Sequence, residues 1–587
     1  MSVPNHNEIW RRGAEEFRGQ RLLPHVVDYH AHENPSRVFN SMPRTQNVAD
    51  GFRDVDMKTM ATAVDFMAWW LDDHSKSVPK EKKILAYLGV PDIRYPVLLF
   101  AAIKAGWTTF WISPRNPPDQ NLHLLCEGKV MLLLHADLME PVVKGIQQLD
   151  SAALITYMPV PSLEEVLGGQ SHPYPYDVVF ADVKDERCLA MHTSGSTGLP
   201  KIVSYTHAAF SCTDSDRNVP VPEGRRPQNA KQFDFSPPGR FYCCFPPFHV
   251  RNLLLVLIAF RYQIANEEKL AGTMAFMVIP VFSTTATAVF GPSTMPPSGH
   301  LVSAITKHTR VQALYIPPST IEQWWTCDPD ASKKAEGLNF VLFGGGPLAP
   351  SVGQKLSELT DLCQMYGSIE SGQIQMLVPQ PGEWQYLEPN PAEECDMQEV
   401  EEGSGLYELV LCQHEKFRGR RTLSHTFPDV KIWRTKDLFT PHPTKTGLWQ
   451  FHSRTDDLIA LGTSAKVFPV PMETALQGDP NVAGTLVVGN ARPAVVLIIE
   501  PAQPLNGVSK DEFIDKIWAA VEEANAAAPT HGKVSRSRIL LTDPAVGFAR
   551  TPKGTISRKK SEALYTAAID AVFRDNIVDE NSTTSAF

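Results

Sequence analysis

The sequence lacks a long basic run: 55 Lys and Arg stand against 65 Asp and Glu, a formal net charge of −10. Because nucleic-acid-binding proteins usually carry a concentrated basic patch, the composition argues against nucleic acid as a partner. No apolar stretch reaches the roughly 20 residues that cross a bilayer. The N-terminal segment 1–7 lacks the apolar core of a secretory signal. We therefore expect no membrane association and a cytoplasmic location.

Cysteine is sparse, with nine residues in 587 and no C-x-x-C pair. This pattern is typical of a reducing compartment and excludes a disulfide scaffold. Four residues near the N-terminus, His25, His30, His32 and Glu33, could in principle bind a metal. Since no further ligand cluster accompanies them, we favour a structural role.

Length and pattern predict an α/β protein of more than one domain. The chain is 43% hydrophobic, enough for a large core, and 587 residues exceed one compact unit. Helical stretches such as 94–107 alternate with strand-like runs at 130–134, 241–245, 312–316 and 340–343, which indicates layered sheets and helices. The runs 406–412 and 447–452 predict later, antiparallel strands.

The run Thr193-Ser194-Gly195-Ser196-Thr197-Gly198-Leu199-Pro200-Lys201 follows the apolar segment 188–191. Glycines allow close backbone approach, hydroxyls and N–H groups can bind phosphate oxygens, and the lysine adds a positive charge. Pro200 and the missing hydroxyl after Lys201 exclude the Walker pattern. A phosphate-binding loop and an ordinary Ser/Gly-rich surface loop both fit these residues alone.

Further motifs follow this loop in order: Gly344-Gly345-Gly346, Tyr366-Gly367-Ser368-Ile369-Glu370, Trp433-Arg434-Thr435-Lys436-Asp437 and Ser453-Arg454-Thr455-Asp456-Asp457. With the loop, they resemble the motifs of the adenylate-forming superfamily, which includes acyl-CoA synthetases, luciferases and the adenylation domains of nonribosomal peptide synthetases. The helix 94–107 and Ser113-Pro114-Arg115-Asn116 resemble one subgroup, the fungal peptide-synthetase-like carboxylic acid reductases.

The resemblance implies an ATP site. A dinucleotide-binding fingerprint is the rival for the glycine segment at 344–346, but its spacing is not matched. The resemblance implies that Tyr366 stacks on adenine, Glu370 holds Mg²⁺ and Asp437 binds the ribose. Two departures are Ile369, where threonine is usual, and Lys436, where glycine is usual. The expected ATP-binding residues are Thr193, Ser194, Gly195, Ser196, Thr197, Gly198, Lys201, Gly344, Gly345, Tyr366, Gly367, Ser368, Asp437 and Arg454.

For catalysis, the resemblance implies Lys553, His249 and Glu370, with Asp456 as the hinge of a rotating lid. Thr555 holds the position where the family's final lysine is usual, so Lys553 is displaced by two residues. Lys553 is expected to bridge the carboxylate and the α-phosphate.

The predicted substrate pocket comprises His249, Asn252, Pro317, Gly344 and Gly345. Amino-acid-activating relatives place an aspartate just after the histidine, whereas Val250-Arg251-Asn252 contains no acid. Asp234 precedes the strand at 240–245, and we interpret it as unrelated to this role. Because an unpaired ammonium in a pocket is costly, the substrate is expected to be a neutral, aryl or hydrophobic acid. Trp324-Trp325 could line the pocket, although the core is the commoner place for such pairs.

The fold class expected is α/β, with a large adenylation domain of layered sheets and helices over 1–455, a small mobile α+β lid over 456–578, and a disordered tail over 579–587. The predicted reaction joins a carboxylic acid to AMP, then passes the acyl group to a phosphopantetheine thiol on a carrier domain outside this chain. NADPH would serve only a reductase domain, also outside it, and the chain is expected to be a monomer. A free-standing acyl-CoA ligase and a non-catalytic adenylate-binding protein are the alternatives.

Overall fold

The computed structural model describes residues 6–76, 78, 83–114, 116–153, 155–192, 201–245, 247, 273–463, 465–549, 556 and 558–583. Strands β1 to β24 are, in chain order, Val38–Pro43, Phe52–Asp56, Ile84–Leu88, Thr108–Trp111, Leu132–His135, Thr156–Pro159, Arg187–His192, Ile202–Thr206, Gly239–Cys243, Ala286–Val289, Ala313–Tyr315, Phe340–Phe343, Asp361–Gln364, Gly367–Ser368, Gly372–Gln373, Asp396–Glu399, Tyr407–Cys412, Ile432–Pro441, Trp449–Arg454, Ile459–Ala460, Lys466–Val467, Val482–Val488, Val496–Pro501 and Ile539–Leu541.

Helices α1 to α18 are, in chain order, Leu23–Glu33, Met57–His74, Arg94–Lys104, Pro118–Glu127, Glu140–Gln147, Leu163–Gly168, Phe180–Val183, His207–Ser215, Gln228–Lys231, Ile279–Phe282, Gly299–His308, Pro318–Cys327, Ala331–Glu336, Pro350–Ser357, Leu423–Thr426, Val470–Gln477, Lys510–Ala527 and Arg558–Thr583. Local sequence sets several of their starts. The Asp56 carboxylate accepts a hydrogen bond from the Thr59 N–H at the start of α2, and Ser509 with Glu512 forms a capping box on α17.

Two mostly parallel sheets organise the chain up to residue 364. The first has the order β6–β5–β3–β4–β7–β8, and only β8 is antiparallel to its neighbour. The second has the order β13–β12–β11–β9–β10–β1–β2, and only β2 is antiparallel. Their inner strands, such as Leu132–His135, are buried along their whole length. Continuous apolar runs suit this place because helices cover both faces of a parallel sheet.

Two further sheets follow. Strands β16–β17–β18–β19 form an antiparallel sheet, which confirms the antiparallel strands expected near residues 406–412 and 447–452. Strands β22–β23–β24 form the last sheet, whose two faces contribute to two separate apolar clusters, one of them including side chains of α17 and the other side chains of α18. The predicted α/β class, with a large N-terminal part and a smaller C-terminal part, is therefore confirmed.

The last helix differs from the sequence expectation. Helix α18 ends at Thr583, so residues 579–583, expected to lack regular structure, are helical. No glycine or proline interrupts the segment 558–583, and nothing in its backbone chemistry stops the helix earlier.

Candidate active site

The predicted motifs follow the carboxyl ends of parallel strands. Strand β7 leads into the loop that begins at Thr193, β12 leads into Gly344, and β13 leads into Tyr366. Strands β12 and β13 are neighbours in the second sheet, so Gly344 and Tyr366 lie at the same edge of it, whereas β7 belongs to the first sheet. Ligands in α/β sheets bind at the carboxyl ends of the strands, which is where all three motifs begin.

The predicted phosphate loop closes a hairpin. His192 at the end of β7 pairs in register with Ile202 at the start of β8. Thr193, Ser194, Gly195, Ser196, Thr197 and Gly198 lie outside the described residues, whereas Lys201 is described and exposed. The pairing of β7 with β8 therefore fixes the residues that flank the loop.

Asn116, in the segment that resembles the reductase subgroup, braces the base of this loop. Its Nδ2 lies 3.4 Å from Nε2 of the buried His192 and donates to Oδ1 of Asn121 at 3.0 Å. Asn121 in turn donates to the Ser113 carbonyl at 3.0 Å. The sequence motif did not reveal this link, because His192 belongs to β7 and Asn116 lies between β4 and α4, 76 residues earlier.

Gly344 and Gly345 leave room that a side chain would fill. Gly345 has φ +88°, a backbone conformation that favours glycine. A Cβ on Gly344 would lie 3.1 Å from the Met365 carbonyl oxygen. The bare backbone here forms a surface beside the Tyr366 segment, since Met365 N–H donates to the Phe343 carbonyl.

Three predicted ATP residues form one hydrogen-bonded cluster. The Tyr366 hydroxyl donates to Asp437 Oδ2 at 2.7 Å, and Arg454 Nη1 donates to Asp437 Oδ1 at 2.8 Å. Asp437 and Arg454 face each other across β18 and β19 as direct partners in the sheet register. Antiparallel pairing therefore brings together residues 17 positions apart in sequence.

The electrostatics of the cluster centre on a buried carboxylate. Asp437 is only 8% exposed, and burial raises its pKa, while Arg454 and the Tyr366 hydroxyl act to lower it. Burial acts to lower the pKa of Arg454, but the carboxylates of Asp437, Asp456 and Asp457 raise it above its usual value. These two donors therefore favour the ionised form of Asp437, which burial disfavours.

Tyr366 itself is nearly buried, at 4% exposure, and its ring meets Phe439 edge-on at 5.6 Å between centroids. Its hydroxyl points to Asp437, an arrangement that sequence reasoning did not foresee. Whether its face also stacks on adenine stays a prediction.

Lys436 occupies a strained position beside the cluster. Its φ is +65°, in the left-handed region that favours glycine, the residue usual at this place in the family motif. Strand β18 bulges here: Glu408 pairs with Leu438 and Val410 with Arg434, which leaves three residues opposite one. The Glu408 carboxylate stabilises the bulge by accepting from the Lys436 N–H at 3.0 Å.

The Lys436 side chain reaches the predicted hinge. Its Nζ lies 3.2 Å from Asp456 Oδ1, and both side chains are substantially exposed. Arg454 also approaches Asp456, at 3.7 Å. The predicted hinge residue is therefore held by two cations of the preceding sheet.

Glu370 lies at the tip of a short hairpin, β14–β15. Its carbonyl accepts a hydrogen bond from the Thr426 hydroxyl. The neighbouring Ile369 is fully buried in the main core, and its carbonyl accepts from the Tyr205 hydroxyl. The departure from threonine therefore places an apolar side chain in the core, while the Ser368 hydroxyl lies 3.1 Å from that of Ser371.

Of the remaining predicted pocket and catalytic residues, the structure describes only Pro317. Pro317 is buried at the start of α12. His249, Asn252 and Lys553 lie outside the described residues, as does the run 253–260.

The structure also describes Asp234, Trp324 and the N-terminal histidines. The Asp234 side chain is 62% exposed and lies 3.5 Å from Arg217, which agrees with its interpretation as unrelated to substrate. Trp324 is fully buried and donates to Asp328, so it belongs to the core. His25 and His30 are buried in α1, and burial lowers the pKa of each to about 3.

The residues that the structure describes contain neither a metal-binding cluster nor a membrane-spanning helix. Across those residues, no three or more His, Cys, Asp or Glu side chains gather into a metal-binding group. Over the same ranges, no helix combines the length and apolar character needed to traverse a bilayer.

Comparison with known families gives two matches. Residues 30–262 match the family described as AMP-binding enzyme, and residues 456–576 match the AMP-binding enzyme C-terminal domain. Together they span more than half of the chain. This chain belongs to the adenylate-forming superfamily. It is an ATP-dependent adenylate-forming ligase, a class that activates acids.

Curated relatives include a carboxylic acid reductase of Neurospora crassa, 27% identical over 95% of this chain and 51% of that protein. An adenylate-forming reductase, Nps11, of Serpula lacrymans is 28% identical over 96% of this chain and 50% of that protein. The isocyanide synthase-NRPS hybrid crmA of Aspergillus fumigatus is 28% identical over 96% of this chain and 34% of its own length. The ligase chain spans about half the length, or less, of these relatives.

Solved structures share the fold. The anthranilate CoA ligase AuaEII, in complex with anthranoyl-AMP, has a TM-score of 0.67 at 15% identity, covering 94% of this chain and 98% of that one. The o-succinylbenzoate CoA synthetase of Bacillus subtilis, in complex with its acyl-adenylate, has a TM-score of 0.64 at 16% identity, covering 91% and 97%. At these identities the likeness concerns the fold of the ligase.

Proposed function

We propose that this ligase activates a neutral aryl carboxylic acid with ATP and passes the acyl group to the phosphopantetheine thiol of a carrier domain. The observation that carries the proposal is the Tyr366–Asp437–Arg454 cluster, in which Tyr366 follows β13, the neighbour of the strand that leads into Gly344. An ionised carboxylate offers about four lone-pair sites, and the two donors occupy two of them. Among the described residues no other group donates to this carboxylate, so its two remaining sites would accept both ribose hydroxyls of ATP.

The remaining nucleotide contacts follow from chemistry. Gly344 and Gly345 would present bare backbone to the flat adenine ring, and Lys201 with the loop 193–198 would contact phosphate oxygens. Glu370 would hold Mg²⁺, which proteins commonly bind through one or two carboxylates plus substrate phosphates. A Mg²⁺ site of this kind needs only one or two protein carboxylates. Glu370 can therefore serve it without a cluster of metal-binding side chains among the described residues. When bound, the ion would neutralise phosphate charge.

In the first half-reaction the acid's carboxylate oxygen attacks the α-phosphorus of ATP, a phosphorus–oxygen bond forms, and pyrophosphate leaves with the electron pair of the broken bond. No general base is needed, because a carboxylic acid is already ionised at neutral pH. His249 would lie at the carboxylate, and Lys553 would stabilise the charge that develops on the transferred group.

The preference for a neutral acid follows from the lack of a carboxylate in the segment after His249. Val250-Arg251-Asn252 supplies no carboxylate, and Asp234 lies on the surface beside Arg217. An α-ammonium group would then be buried without a partner, at a cost of several kcal/mol. Asn252 and Pro317, two other predicted pocket residues, carry no charge, which suits an uncharged ring.

For the second half-reaction, we place the domain boundary at the hinge, with an adenylation domain over 1–455 and a lid over 456–578 that rotates about Asp456. Three relatives named as reductases or synthetases are at least about twice the length of this chain, which supports its role as the adenylating module of a longer enzyme. NADPH would then serve reduction in a separate domain.

The test is acid-dependent ATP–pyrophosphate exchange across benzoic, hydroxybenzoic, fatty and amino acids, with Lys553→Ala as the inactive variant. Asp234→Asn is a matched surface control that should leave exchange unchanged. Exchange with aryl acids alone supports the proposal; exchange with amino acids refutes the neutral-acid assignment. Loading of a carrier domain, compared with turnover of free CoA, then separates the carrier-dependent function from a CoA ligase.

A further inference from the structure

The hairpin that carries Glu370 is too short to fix its own turn. Strands β14 and β15 have two residues each, and the turn between them comprises residues 369–371. A two-stranded hairpin is only marginally stable by itself, so other groups must fix the conformation of this one. Within it, the Ser371 N–H donates to Ser368 Oγ and the Ser368 N–H donates to Ser371 Oγ, each at 3.1 Å. These bonds satisfy N–H groups and leave the carbonyl oxygens of Ile369 and Glu370 for partners from elsewhere.

Two hydroxyl groups from distant segments hold those carbonyl oxygens. Tyr205 Oη donates to the Ile369 carbonyl, and Thr426 Oγ1 donates to the Glu370 carbonyl at 2.5 Å. Tyr205 lies in β8 and is 2% exposed, and Thr426 is the last residue of α15. Because the bond from Tyr205 is buried, its loss would leave the Ile369 carbonyl without a donor. Side chains of two other elements therefore hold the backbone of the turn.

The carboxylate of Glu370 depends on that backbone for its position. Among the residues that the structure describes, the Glu370 side chain makes no hydrogen bond or ion pair that would orient it. The neighbouring Ile369 side chain is fully buried in the core and anchors the turn on its apolar side. Mg²⁺ demands nearly ideal octahedral geometry, with ligands at about 2.0–2.1 Å. A shift of the backbone at residue 370 would therefore act directly on a metal bound by its carboxylate.

Tyr205 also connects the two halves of the predicted MgATP site. Strand β8 begins directly after Lys201 and belongs to the first sheet, whereas the Glu370 hairpin follows β13 of the second sheet. Tyr205 pairs in register with Leu189 of β7, the strand that leads into the phosphate loop. One buried hydrogen bond thus joins the strand pair that flanks the phosphate loop to the hairpin that carries the metal ligand.

We infer that Tyr205 and Thr426 are positioning residues for Glu370, the carboxylate that would hold Mg²⁺, an inference that rests on the proposed function. Neither hydroxyl contacts the metal in this role. Each holds one carbonyl of the turn, so that the carboxylate is presented in a single geometry. Groups that orient a metal ligand typically contribute about 10–100-fold to metal affinity or activity. Loss of either hydroxyl should therefore weaken the use of Mg²⁺ without affecting nucleotide bound in the absence of metal.

The first arm of the test measures binding without turnover. α,β-Methylene-ATP cannot release pyrophosphate, and calorimetric titration gives its affinity with Mg²⁺ and again with a chelator. The ratio of the two affinities is the gain from Mg²⁺. Tyr205→Phe and Thr426→Val should each lower this gain about tenfold and leave the metal-free affinity as in the wild type. A merely structural role would instead lower both affinities together. Thr426→Val tests the inference independently if Tyr205→Phe does not fold.

Tyr87→Phe and Thr306→Val are the matched controls. Tyr87 is a fully buried tyrosine of the same sheet, and its hydroxyl has no partner among the described residues. The Thr306 hydroxyl donates only to carbonyls of its own helix, α11. Both variants should keep the wild-type gain from Mg²⁺, and urea unfolding checks that every variant is folded.

Glu370→Gln tests the premise and the coupling. This variant should lose the gain from Mg²⁺, because an amide replaces the anionic ligand. Adding Tyr205→Phe to it should change nothing further, since a positioning residue acts only through the ligand it orients. A further loss in the double variant would mean that Tyr205 acts on the nucleotide by another route, which contradicts the inference.

The second arm is ATP–pyrophosphate exchange with an aryl acid at varied Mg²⁺. The Mg²⁺ concentration for half-maximal exchange should rise about tenfold in Tyr205→Phe and Thr426→Val, at an unchanged KM for the acid. A wild-type gain in both variants, with the gain lost in Glu370→Gln, overturns the inference and leaves the proposed metal site standing. A gain that survives Glu370→Gln, or is absent from the wild type, refutes Glu370 as the metal ligand and the inference with it. Absence of exchange with every acid refutes the proposed reaction, and the first arm then still decides the role of the two hydroxyls.

Discussion

Removing the hydroxyl of Tyr366 should weaken both the fold and the ATP site, because that hydroxyl is one of two donors to the buried Asp437. The bond is 2.7 Å long and its acceptor is 8% exposed, so water can replace it only poorly. A hydrogen bond to a charged group contributes about 1.5–3 kcal/mol. We expect Tyr366→Phe to lower the free energy of unfolding by about 2 kcal/mol and to raise the KM for ATP at least tenfold.

The pH dependence of this loss has a definite sign. The hydroxyl stabilises the ionised form of Asp437, so its removal raises the pKa of Asp437 further. The destabilisation should be full at neutral pH and should shrink as the pH falls and Asp437 becomes protonated in both proteins. Urea unfolding at several pH values, in single variants and in the double variant with Asp437→Asn, measures the coupling.

Tyr87 provides the opposite case. Its hydroxyl is buried and finds no hydrogen-bond partner among the described residues. Tyr87→Phe should therefore be neutral or stabilise the fold by up to about 1 kcal/mol. If Tyr366→Phe behaves like Tyr87→Phe, with a change below about 0.5 kcal/mol and an unchanged KM for ATP, the hydrogen bond does not support the site and the reasoning fails.

Three other changes test the surroundings by urea unfolding. Arg454→Ala should destabilise the fold by about 3 kcal/mol, because it leaves the buried Asp437 without its cation; a loss below 1 kcal/mol contradicts this. Lys436→Gly should stabilise by roughly 1 kcal/mol, since relief of the left-handed backbone exceeds the loss of an exposed ion pair with Asp456; destabilisation would show that the ion pair matters more. Burial raises the pKa of Glu322 to about 7, so its contribution is present below pH ~4.5 and is lost as the pH rises through 7, roughly 3 kcal/mol in total. Glu322→Gln should flatten that pH profile, and an unchanged profile would refute the assignment.

Much of the fold was accessible from sequence because its parallel strands are buried on both faces. Runs such as 340–343 are continuously apolar, and the structure has a strand over Phe340–Phe343. The alternation of such runs with helical segments predicted the layered α/β class. The order of strands within each sheet was not predictable, because neighbours such as β1 and β10 are about 250 residues apart in sequence.

The site was predictable as motifs but not as contacts. The motif around Asp437 marked that residue, yet its pairing with Arg454 depends on the register of β18 and β19. The strain at Lys436 arises from a bulge that no single strand encodes.

The most direct test of the account is ATP–pyrophosphate exchange with an aryl acid in wild type and Asp437→Asn, with folding of both checked by urea unfolding. The account predicts acid-dependent exchange in the wild type and at least a tenfold higher KM for ATP in the variant, because an amide replaces ribose-accepting oxygen with a donor. Equal KM values for ATP in two folded proteins would contradict the central role of the Tyr366–Asp437–Arg454 cluster.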